Sequence, residues 1–235
     1  MSKTFLFVHG AWHGGWCWAK TEQELRNKGH ETHAPTLTGL GERAHLAHAE
    51  ITPDSHVEDI LAVIKWRELD DIILVGHSYG GLIITGVASA VPEKISSLIY
   101  LDAFVPEESG ASIFANANPA RMAQFEAQLE NGGFLVEPDL FDAWSDDPEH
   151  VSWLKTMCTP HPIGSFRHGV TLSGRQNEVK DRQFIMCSRN SPSPFQGEYQ
   201  RVKSYKTWQT HEFDTKHDAM VDKPSALAGL LDTIT

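Results

Sequence analysis

The chain has 235 residues, of which 40% are hydrophobic and 22% charged, a composition typical of a globular protein and not of a disordered one. Its 20 Lys and Arg residues stand against 31 Asp and Glu residues, which gives a formal net charge of −11 and no basic run to attract nucleic acid or anionic lipid. DNA, RNA and membrane surfaces are therefore excluded as expected partners, and the length indicates one domain or one domain with an insertion.

Cysteine usage and hydropathy indicate the cytoplasm. The three cysteines, Cys17, Cys158 and Cys187, are widely spaced and odd in number, as expected in a reducing compartment. The first residues hold too short an apolar run for a signal-peptide core, and no stretch approaches the roughly 20 apolar residues of a membrane span. We therefore expect a cytoplasmic protein.

Strand-forming runs alternate with helical patterns in the first half of the chain, which is typical of a parallel sheet covered on both faces. The order is a strand over 4–9, a helix over 16–28, a strand over 31–35 and a loop over 36–54. Apolar residues at helical spacing then predict an amphipathic helix: Val57, Ile60, Leu61 and Ile64. A strand over 71–75, a helix over 81–91 and a strand over 96–104 follow.

The alternation stops between residues 107 and 180, where aromatic residues lie in helix-like segments interrupted by Gly and Pro. It resumes with a strand over 182–188, a helix over 194–204, a strand over 207–213 and a helix from about 223. The predicted fold class is α/β, a mostly parallel six-stranded sheet with helices on both faces. We assign residues 1–106 and 181–235 to its core and residues 107–180 to a helical cap.

Ser78 lies in a G-x-S-x-G motif, GHSYG at residues 76–80, directly after a predicted strand and directly before a predicted helix. In that context the motif forms a nucleophile elbow, a tight turn that holds the serine hydroxyl above the sheet edge. The glycines leave room for the turn, because a Cβ on either side would clash with it. A glycine-rich turn with an incidental serine is the alternative, and the strand–turn–helix context favours the nucleophile.

A serine hydroxyl needs a base within hydrogen-bond reach. Of the 13 histidines, only His217 lies in a loop after the last predicted strand, where an elbow-type fold requires the base. Four others are expected in packing or loop positions: His9, His30, His33 and His161. Two of these form an H-x-x-H pair without a third ligand pattern, so we expect no metal site.

An oxyanion hole needs two backbone N–H donors where negative charge develops in the reaction. The residue after the nucleophile, Tyr79, is expected to supply one of them. The loop after the first strand, residues 9–18, is expected to supply the other. Ala11 is the expected donor there, because Gly10 lets the backbone approach closely.

In combination, the stretches HGAWHGGWCW, VGHSYGG, LDAFVPE and HDAM resemble the α/β-hydrolase superfamily. Within it they are similar to the branch that holds plant methyl-ester esterases, hydroxynitrile lyases and bacterial esterases. The resemblance runs from Phe5 to near the C-terminus with the motifs in consistent order. It implies a cofactor-free enzyme, an α/β-hydrolase fold and a triad in the order serine, acid, histidine.

The acid is where this chain departs from the plant pattern. The resemblance puts an aspartate in the loop after residues 182–188, and that loop here begins with Cys187-Ser188-Arg189-Asn190. An asparagine cannot stabilise the imidazolium, and in a serine protease the exchange costs about 10⁴ in turnover. Asp102 closes the preceding strand and would reach the same histidine, since parallel neighbours are about 4.8 Å apart. We predict that Asp102 is the acid. One alternative is that Asn190 orients the histidine weakly in its place, and the other is that Asp102 only caps the turn at the end of its strand.

The predicted function is hydrolysis of a small, largely apolar carboxylic ester through an acyl-enzyme on Ser78. No cofactor is expected, the ester is the expected partner, and a homodimer stays open. A hydroxynitrile lyase is one alternative, although lyases of this branch carry Thr after the first-strand His and Lys after the catalytic His, where this chain has Gly10 and Asp218. The second alternative is a small-molecule sensor with little turnover. An asparagine at position 190, where the family has its acid, favours this hypothesis, and the availability of Asp102 as the acid argues against it.

Overall fold

The structure is a computed structural model that describes residues 2–116, 119–129 and 133–235. Its strands, in chain order, are β1 (Thr4–Val8), β2 (Glu31–His33), β3 (Ile72–His77), β4 (Ile95–Leu101), β5 (Leu135–Val136), β6 (His161–Pro162), β7 (Asp181–Cys187) and β8 (Trp208–Phe213). Six of them form one parallel sheet in the order β2-β1-β3-β4-β7-β8, and β5 and β6 form a separate antiparallel pair.

The helices are α1 (Ala19–Asn27), α2 (Pro53–Trp66), α3 (Gly80–Ala90), α4 (Ile113–Asn116), α5 (Pro119–Gln128), α6 (Phe141–Trp144), α7 (Pro148–Met157), α8 (Gly164–Arg167), α9 (Gln196–Lys203), α10 (Ala219–Asp222) and α11 (Pro224–Ile234). Short 3-10 turns lie at Gly15–Trp18, Gly41–Leu46, Pro92–Lys94 and Arg175–Glu178. Helix α1 packs against α11, and α2 packs against α3.

The four central strands, β1, β3, β4 and β7, are largely buried on both faces of the sheet, and their successive residues point to opposite sides. In β1, Leu6 and Val8 join the apolar layer that also holds residues of α2 and α3. Phe5 and Phe7 join the opposite layer, together with residues of α1 and α11. This two-sided burial explains the continuous apolar strand sequences, and it confirms the predicted α/β fold class.

Most predicted boundaries differ from the structure by one to three residues, and local backbone chemistry explains two of the differences. Strand β4 ends at Leu101 instead of reaching residue 104, because Asp102 has a φ of 43°, in the left-handed region where an extended strand cannot continue. The predicted loop over 36–54 contains a 3-10 turn, and α2 begins at Pro53. Thr52 caps this helix: its side chain accepts from the Ser55 N–H and its N–H donates to the Ser55 hydroxyl.

The segment assigned to the cap contains helices α4 to α8 and also the pair β5–β6, which the sequence did not predict because each strand has only two residues. Its boundaries as a separate unit stay a prediction. Within the described residues, no helix is both long and apolar enough to cross a membrane. The cytoplasmic location and the open question of a homodimer also stay predictions.

The order of the strands brings the predicted site residues to one edge of the sheet. Ser78 follows β3 and Asp102 follows β4, while Asn190 and His217 lie in the loops after β7 and β8. These four strands are consecutive neighbours in the sheet and run in the same direction. Their carboxyl ends therefore place four loops from distant parts of the chain next to one another.

Replacing Gly81 with alanine should destabilise the fold, because a Cβ at this position in α3 would lie 2.1 Å from the Phe104 carbonyl oxygen. Overpacking of this kind costs about 1–3 kcal/mol. Gly229 in α11 is the matched control, since a Cβ there meets nothing within 4 Å. Alanine is favoured over glycine in a helix by up to ~1 kcal/mol. In urea unfolding, we expect Gly81→Ala to lower the free energy of unfolding and Gly229→Ala to raise it; equal values for both variants would contradict this packing.

Candidate active site

Ser78 is held in a sharp turn between β3 and α3. Its φ of 54° lies in the left-handed region, which costs a residue with a side chain of order 1–3 kcal/mol. Three hydrogen bonds hold this conformation: the Ser78 N–H donates to the Leu101 carbonyl (3.2 Å), and the Ser78 carbonyl accepts from the N–H groups of Gly81 (3.1 Å) and Phe104 (3.2 Å). A strained serine fixed by its neighbours is the backbone geometry of a nucleophile elbow.

The glycines of the motif are required by close backbone contacts. A Cβ on Gly76 would lie 2.7 Å from the Gly80 carbonyl oxygen, and a Cβ on Gly80 would lie 2.5 Å from the Val8 carbonyl oxygen. A Cβ on Gly10 would lie 3.0 Å from the Ser78 Cβ, so the loop after β1 passes directly beside the serine. The first-strand loop and the elbow therefore form one compact unit.

His217 and Asp102 are brought together by the structure. The His217 Nδ1 and the Asp102 Oδ2 are 2.6 Å apart, and the Asp102 carboxylate is fully buried. The ring of Phe195 stacks on the imidazole with 5.5 Å between ring centroids and 15° between planes. His77 donates from Nε2 to the His217 carbonyl at 3.1 Å. The imidazole is thus held on its ring face, at Nδ1 and through its own backbone, which leaves Nε2 for proton transfer.

Asn190 contacts the carboxylate of Asp102 and does not take its place. The Asn190 Nδ2 donates to the same Asp102 Oδ2 at 2.6 Å, and it lies 3.5 Å from the His217 Nδ1. Both nitrogens are donors toward the carboxylate, so one oxygen accepts two hydrogen bonds. Two charge-assisted bonds of this kind stabilise a buried carboxylate.

The expected oxyanion donors, Ala11 and Tyr79, line the same cavity as Ser78 and His217. Tyr79 is the N-cap of α3, so its backbone lies at a helix N-terminus, where partial positive charge favours an anion. Its hydroxyl donates to the His56 Nδ1 at 2.8 Å, and the His56 Nε2 donates to the Thr38 carbonyl at 2.9 Å. This buried chain fixes the side chain next to the elbow.

A buried histidine–aspartate pair borders the same site and was not found from the sequence. The His13 Nε2 and the Asp218 Oδ2 are 3.0 Å apart, and both side chains are at most 2% exposed. The His13 Nδ1 donates to the Ala11 carbonyl at 2.7 Å. Burial by itself would lower the pKa of His13, but the charge and hydrogen bond of Asp218, together with the Ala11 carbonyl, raise it overall.

Four other buried histidines around the site are held neutral. Burial lowers the pKa of His9 to about 3 and that of His56 to about 4, against small opposing effects of hydrogen bonds to backbone carbonyls. Burial also takes the pKa of His77 and of His161 well below the usual value, and neighbouring histidines lower both further. The site is therefore surrounded by neutral imidazoles that act through fixed hydrogen bonds.

Potential metal ligands come together at one place among the residues that the structure describes. His30 bonds to Asp232 and His33 bonds to Glu31, so the H-x-x-H pair does not converge on one point. Potential ligand atoms of His77, His217 and Asp218 lie within 4.8 Å of one another. The two imidazoles are already hydrogen-bonded, one to a backbone carbonyl and the other to Asp102, and we assign no metal to this cluster.

The cavity above Ser78 has a volume of about 590 Å³, which is sufficient for a small organic molecule. Six Phe and Trp side chains line it: Trp12, Phe104, Phe125, Trp144, Phe166 and Phe195. Three of these lie in residues 107–180, the predicted cap, where the sequence has aromatic residues in helix-like segments. The other three belong to loops of the sheet, and Trp12 in particular has a φ of 64° that no sequence pattern reveals.

The chain is similar to known proteins over nearly its whole length. The model of the alpha/beta hydrolase family matches residues 5–230. The chain belongs to this family. A computed comparison of folds finds an extracellular alpha/beta-hydrolase from a Paenibacillus species with a TM-score of 0.87, covering 99% of this chain and 98% of the other at 21% identity. The predicted family and fold are confirmed.

Two curated relatives extend over nearly the whole chain. A carbendazim hydrolyzing esterase of Nocardioides sp. (strain SG-4G) is 41% identical over 237 residues, 95% of this chain and 96% of the relative. Methylesterase 10 of Arabidopsis thaliana is 28% identical, covering 98% of this chain and 90% of the relative. Both names denote ester hydrolases, which supports the enzyme class predicted from the sequence. The roles of the individual site residues stay predictions.

The four neutral histidines should make stability pH-dependent. They stay unprotonated in the folded state, whereas in the unfolded chain they take up protons near pH 6.5. The unfolded state then binds more protons, so lowering the pH from about 7.5 to about 5.5 should reduce the free energy of unfolding by about 1.4 kcal/mol per histidine. His13 has the opposite effect. Its contribution to the free energy of unfolding is fully present below pH 6.5 and is lost as the pH rises through its raised pKa.

Urea unfolding at the two pH values measures this effect. His56→Gln should reduce the drop by about 1.4 kcal/mol, and the same change at the exposed His168 should leave it unaltered. A free energy of unfolding that is equal at both pH values would rule out neutral buried histidines.

Proposed function

We propose that the chain hydrolyses small, largely apolar carboxylic esters through an acyl-enzyme on Ser78. The observation that carries the proposal is a serine in an elbow, sharing a cavity with a histidine whose other ring nitrogen lies 2.6 Å from a buried carboxylate. This arrangement gives a serine nucleophile, a general base and a group that orients the base. The enzyme class follows from the family and from the ester hydrolases among the relatives.

The proposed reaction has two half-reactions, acylation of Ser78 and its deacylation by water. The Ser78 Oγ attacks the ester carbonyl carbon while the His217 Nε2 takes the hydroxyl proton, and the N–H groups of Ala11 and Tyr79 stabilise the carbonyl oxygen as it becomes negative. His217 then gives its proton to the departing alkoxide, which leaves as the alcohol. In the second half, His217 takes a proton from water as the water oxygen attacks the acyl carbon; the bond between the acyl carbon and the Ser78 Oγ then breaks, His217 returns the proton to Oγ, and the carboxylic acid leaves.

Asp102 serves as the acid of this triad. Its carboxylate holds the His217 Nδ1–H at 2.6 Å, which fixes the tautomer with Nε2 free and stabilises the imidazolium formed in each half-reaction. Asn190 supports Asp102 from the side as a second donor. The two sequence alternatives for the acid therefore describe two members of one cluster with different functions.

The aromatic walls of the cavity favour a planar or apolar acyl or alcohol group. Apolar contacts discriminate weakly between such groups, by about 1–3 kcal/mol per methylene, so we propose a range of substrates of one class. The relative named for hydrolysis of carbendazim makes this compound one member of the panel to be tested. The lyases of this branch carry a Lys directly after the catalytic His, and residue 218 of this chain is instead a carboxylate bonded to His13, which favours ester hydrolysis over the lyase reaction.

Turnover of p-nitrophenyl esters from acetate to octanoate, and of carbendazim, tests this function. We expect Ser78→Ala and Asp102→Asn to lower kcat by roughly 10³-fold or more, because one removes the nucleophile and the other leaves the imidazolium without a counter-charge. Ser193→Ala is a control that changes a serine near Asn190 outside the triad. Tight binding of esters without turnover in the wild type would instead favour a sensor, and unchanged kcat in Asp102→Asn would remove Asp102 from the triad.

Exchanging the residues at positions 102 and 190 tests which function each of them has in the cluster. Asn190→Asp alone puts two carboxylates within hydrogen-bond distance, and like charges at this distance cannot both ionise, so we expect a less stable protein. The double variant Asp102→Asn/Asn190→Asp restores one carboxylate and one amide, and we expect kcat at least ~10-fold above that of Asp102→Asn alone. Thermal unfolding and kcat measured on the same four proteins check both expectations. A double variant no better than Asp102→Asn would show that the carboxylate works only at residue 102.

A further inference from the structure

The buried pair of His13 and Asp218 has no function in the mechanism above. Its atoms are 3.0 Å apart, and the side chains are 2% and 0% exposed. Removing two charges from water costs several kcal/mol per ion, so a buried ion pair is weak evidence for stability. The pair therefore invites a functional explanation.

Its location connects the two loops that carry the reaction. His13 lies two residues after Ala11, the expected oxyanion donor, and Asp218 directly follows His217, the expected base. The Asp218 N–H in turn donates to the Trp144 carbonyl at 2.9 Å, which links this point to the cavity wall. The contact between His13 and Asp218, which are 205 positions apart, therefore connects the loop that contains Ala11 with the loop that contains His217.

The peptide group between Ala11 and Trp12 is held at both ends. Its carbonyl oxygen accepts from the His13 Nδ1 at 2.7 Å, and its N–H donates to the His161 Nδ1 at 3.2 Å. This clamp is needed because Trp12 has a φ of 64°, a conformation that a residue with a Cβ adopts only when its surroundings impose it. Fixing this peptide fixes the neighbouring Ala11 N–H, which faces the developing oxyanion in the proposed reaction.

The hydrogen bonds of His13 define its protonation state. Nδ1 faces a carbonyl oxygen and Nε2 faces a carboxylate oxygen, and both of these atoms only accept hydrogen bonds. A neutral imidazole has a single N–H and would leave one of the two contacts without a proton. With Asp218 ionised, only an imidazolium satisfies both contacts, and the carboxylate is its counter-charge.

We propose that His13 is a positioning residue for the oxyanion hole, an imidazolium that Asp218 keeps charged and that clamps the Ala11–Trp12 peptide. The inference rests on the proposed ester hydrolysis at Ser78. It assigns Asp218 to the oxyanion side of the site, while Asp102 serves the base. The positive charge of His13 also borders the cavity in which the substrate carbonyl oxygen becomes negative.

Among the titratable side chains around the pair, His13 is the one that carries the positive charge in the resting site. The titratable side chains around the pair are His9, His77, His161, His217, Cys17, Cys158 and Cys187. Burial and the charge of His13 lower the pKa of His9, His77 and His161, and burial together with Asp218 raises the pKa of all three thiols. These groups stay uncharged around the pair, apart from His217, which cycles during turnover. The rings of Trp16 and Trp144 cover the remaining sides of His13.

The inference predicts an alkaline limb in the pH profile. Asp218 raises the pKa of His13, so the imidazolium persists above pH 6.5 and is lost as the pH rises through the raised value. One of the two clamping hydrogen bonds then disappears, and kcat should fall. In Asp218→Asn only burial and the Ala11 carbonyl remain, burial dominates, and the limb should move to lower pH.

The experiment compares kcat and KM between about pH 5 and about pH 10 for the wild type, His13→Gln, Asp218→Asn and the double variant. We expect kcat to fall by roughly 10- to 100-fold with little change in KM, since the oxyanion forms only after binding. His13→Gln should lose the alkaline limb. The double variant leaves no unpaired buried charge, so its thermal stability should recover while its kcat should not.

Matched controls separate this function from a structural one. His30 and Asp232 form a second pair, with 3.0 Å between the His30 Nε2 and the Asp232 Oδ1, and His30→Gln should leave the pH profile unchanged. Recovery of wild-type kcat in the double variant, or the same alkaline limb in all four proteins, would overturn the inference and leave the proposed function standing. Full ester hydrolysis by Ser78→Ala would overturn the proposed function and this inference with it.

A direct measurement keeps the inference testable if a variant does not fold. The ¹⁵N shifts of the His13 ring in the wild-type protein distinguish an imidazolium from a neutral ring, with assignment by comparison with His13→Gln. If that variant does not fold, the two protons of an imidazolium are assigned through their contacts with Trp16 and Trp144. Two N–H protons on His13 at about pH 7 are expected, and a ring with one N–H would overturn the proposal.

Discussion

The site depends on one buried carboxylate. Asp102 is fully buried, and a charge in that position is tolerated only when donors surround it. Its Oδ2 accepts from His217 and from Asn190, so the loops after β4, β7 and β8 must meet at a single oxygen atom. The Asp102 N–H also donates to the Ile185 carbonyl of β7. The parallel strand order makes this meeting possible, since it puts the carboxyl ends of these strands side by side with the end of β3, which carries Ser78.

A second carboxylate, that of Asp218, directly follows His217 in the chain, and each of the two carboxylates bonds to a different histidine. Asp102 bonds to His217, and Asp218 bonds to His13. Two unneutralised carboxylates near one imidazole would favour a permanent imidazolium, which cannot act as a base. The charge on His13 removes this conflict, because Asp218 is already neutralised within its own pair. The surrounding neutral histidines add fixed dipoles to the site and no further charge.

The sequence was sufficient for features that depend on local patterns. The alternation of strand and helix patterns indicated all six strands of the sheet, and the G-x-S-x-G motif located the turn at Ser78. Contacts between distant residues had no such pattern: His13 and Asp218 are 205 positions apart, and each looked like an ordinary loop residue. The end of β4 was missed because a φ of 43° at Asp102 is set by the hydrogen bonds of the surrounding loops. The pair β5–β6 was missed because two residues carry no periodicity.

The strand order also explains why the acid and the asparagine occur together. Strand β4 is not a neighbour of β8, since β7 lies between them, so a carboxylate at the end of β4 must reach across the loop after β7 to contact His217. The residue of that loop nearest the contact then meets the carboxylate itself, as Asn190 does at 2.6 Å. A second carboxylate there would repel the first, and an apolar residue would leave it with one donor fewer. A neutral side chain that donates to Asp102 meets both conditions, and the amide of Asn190 is such a donor.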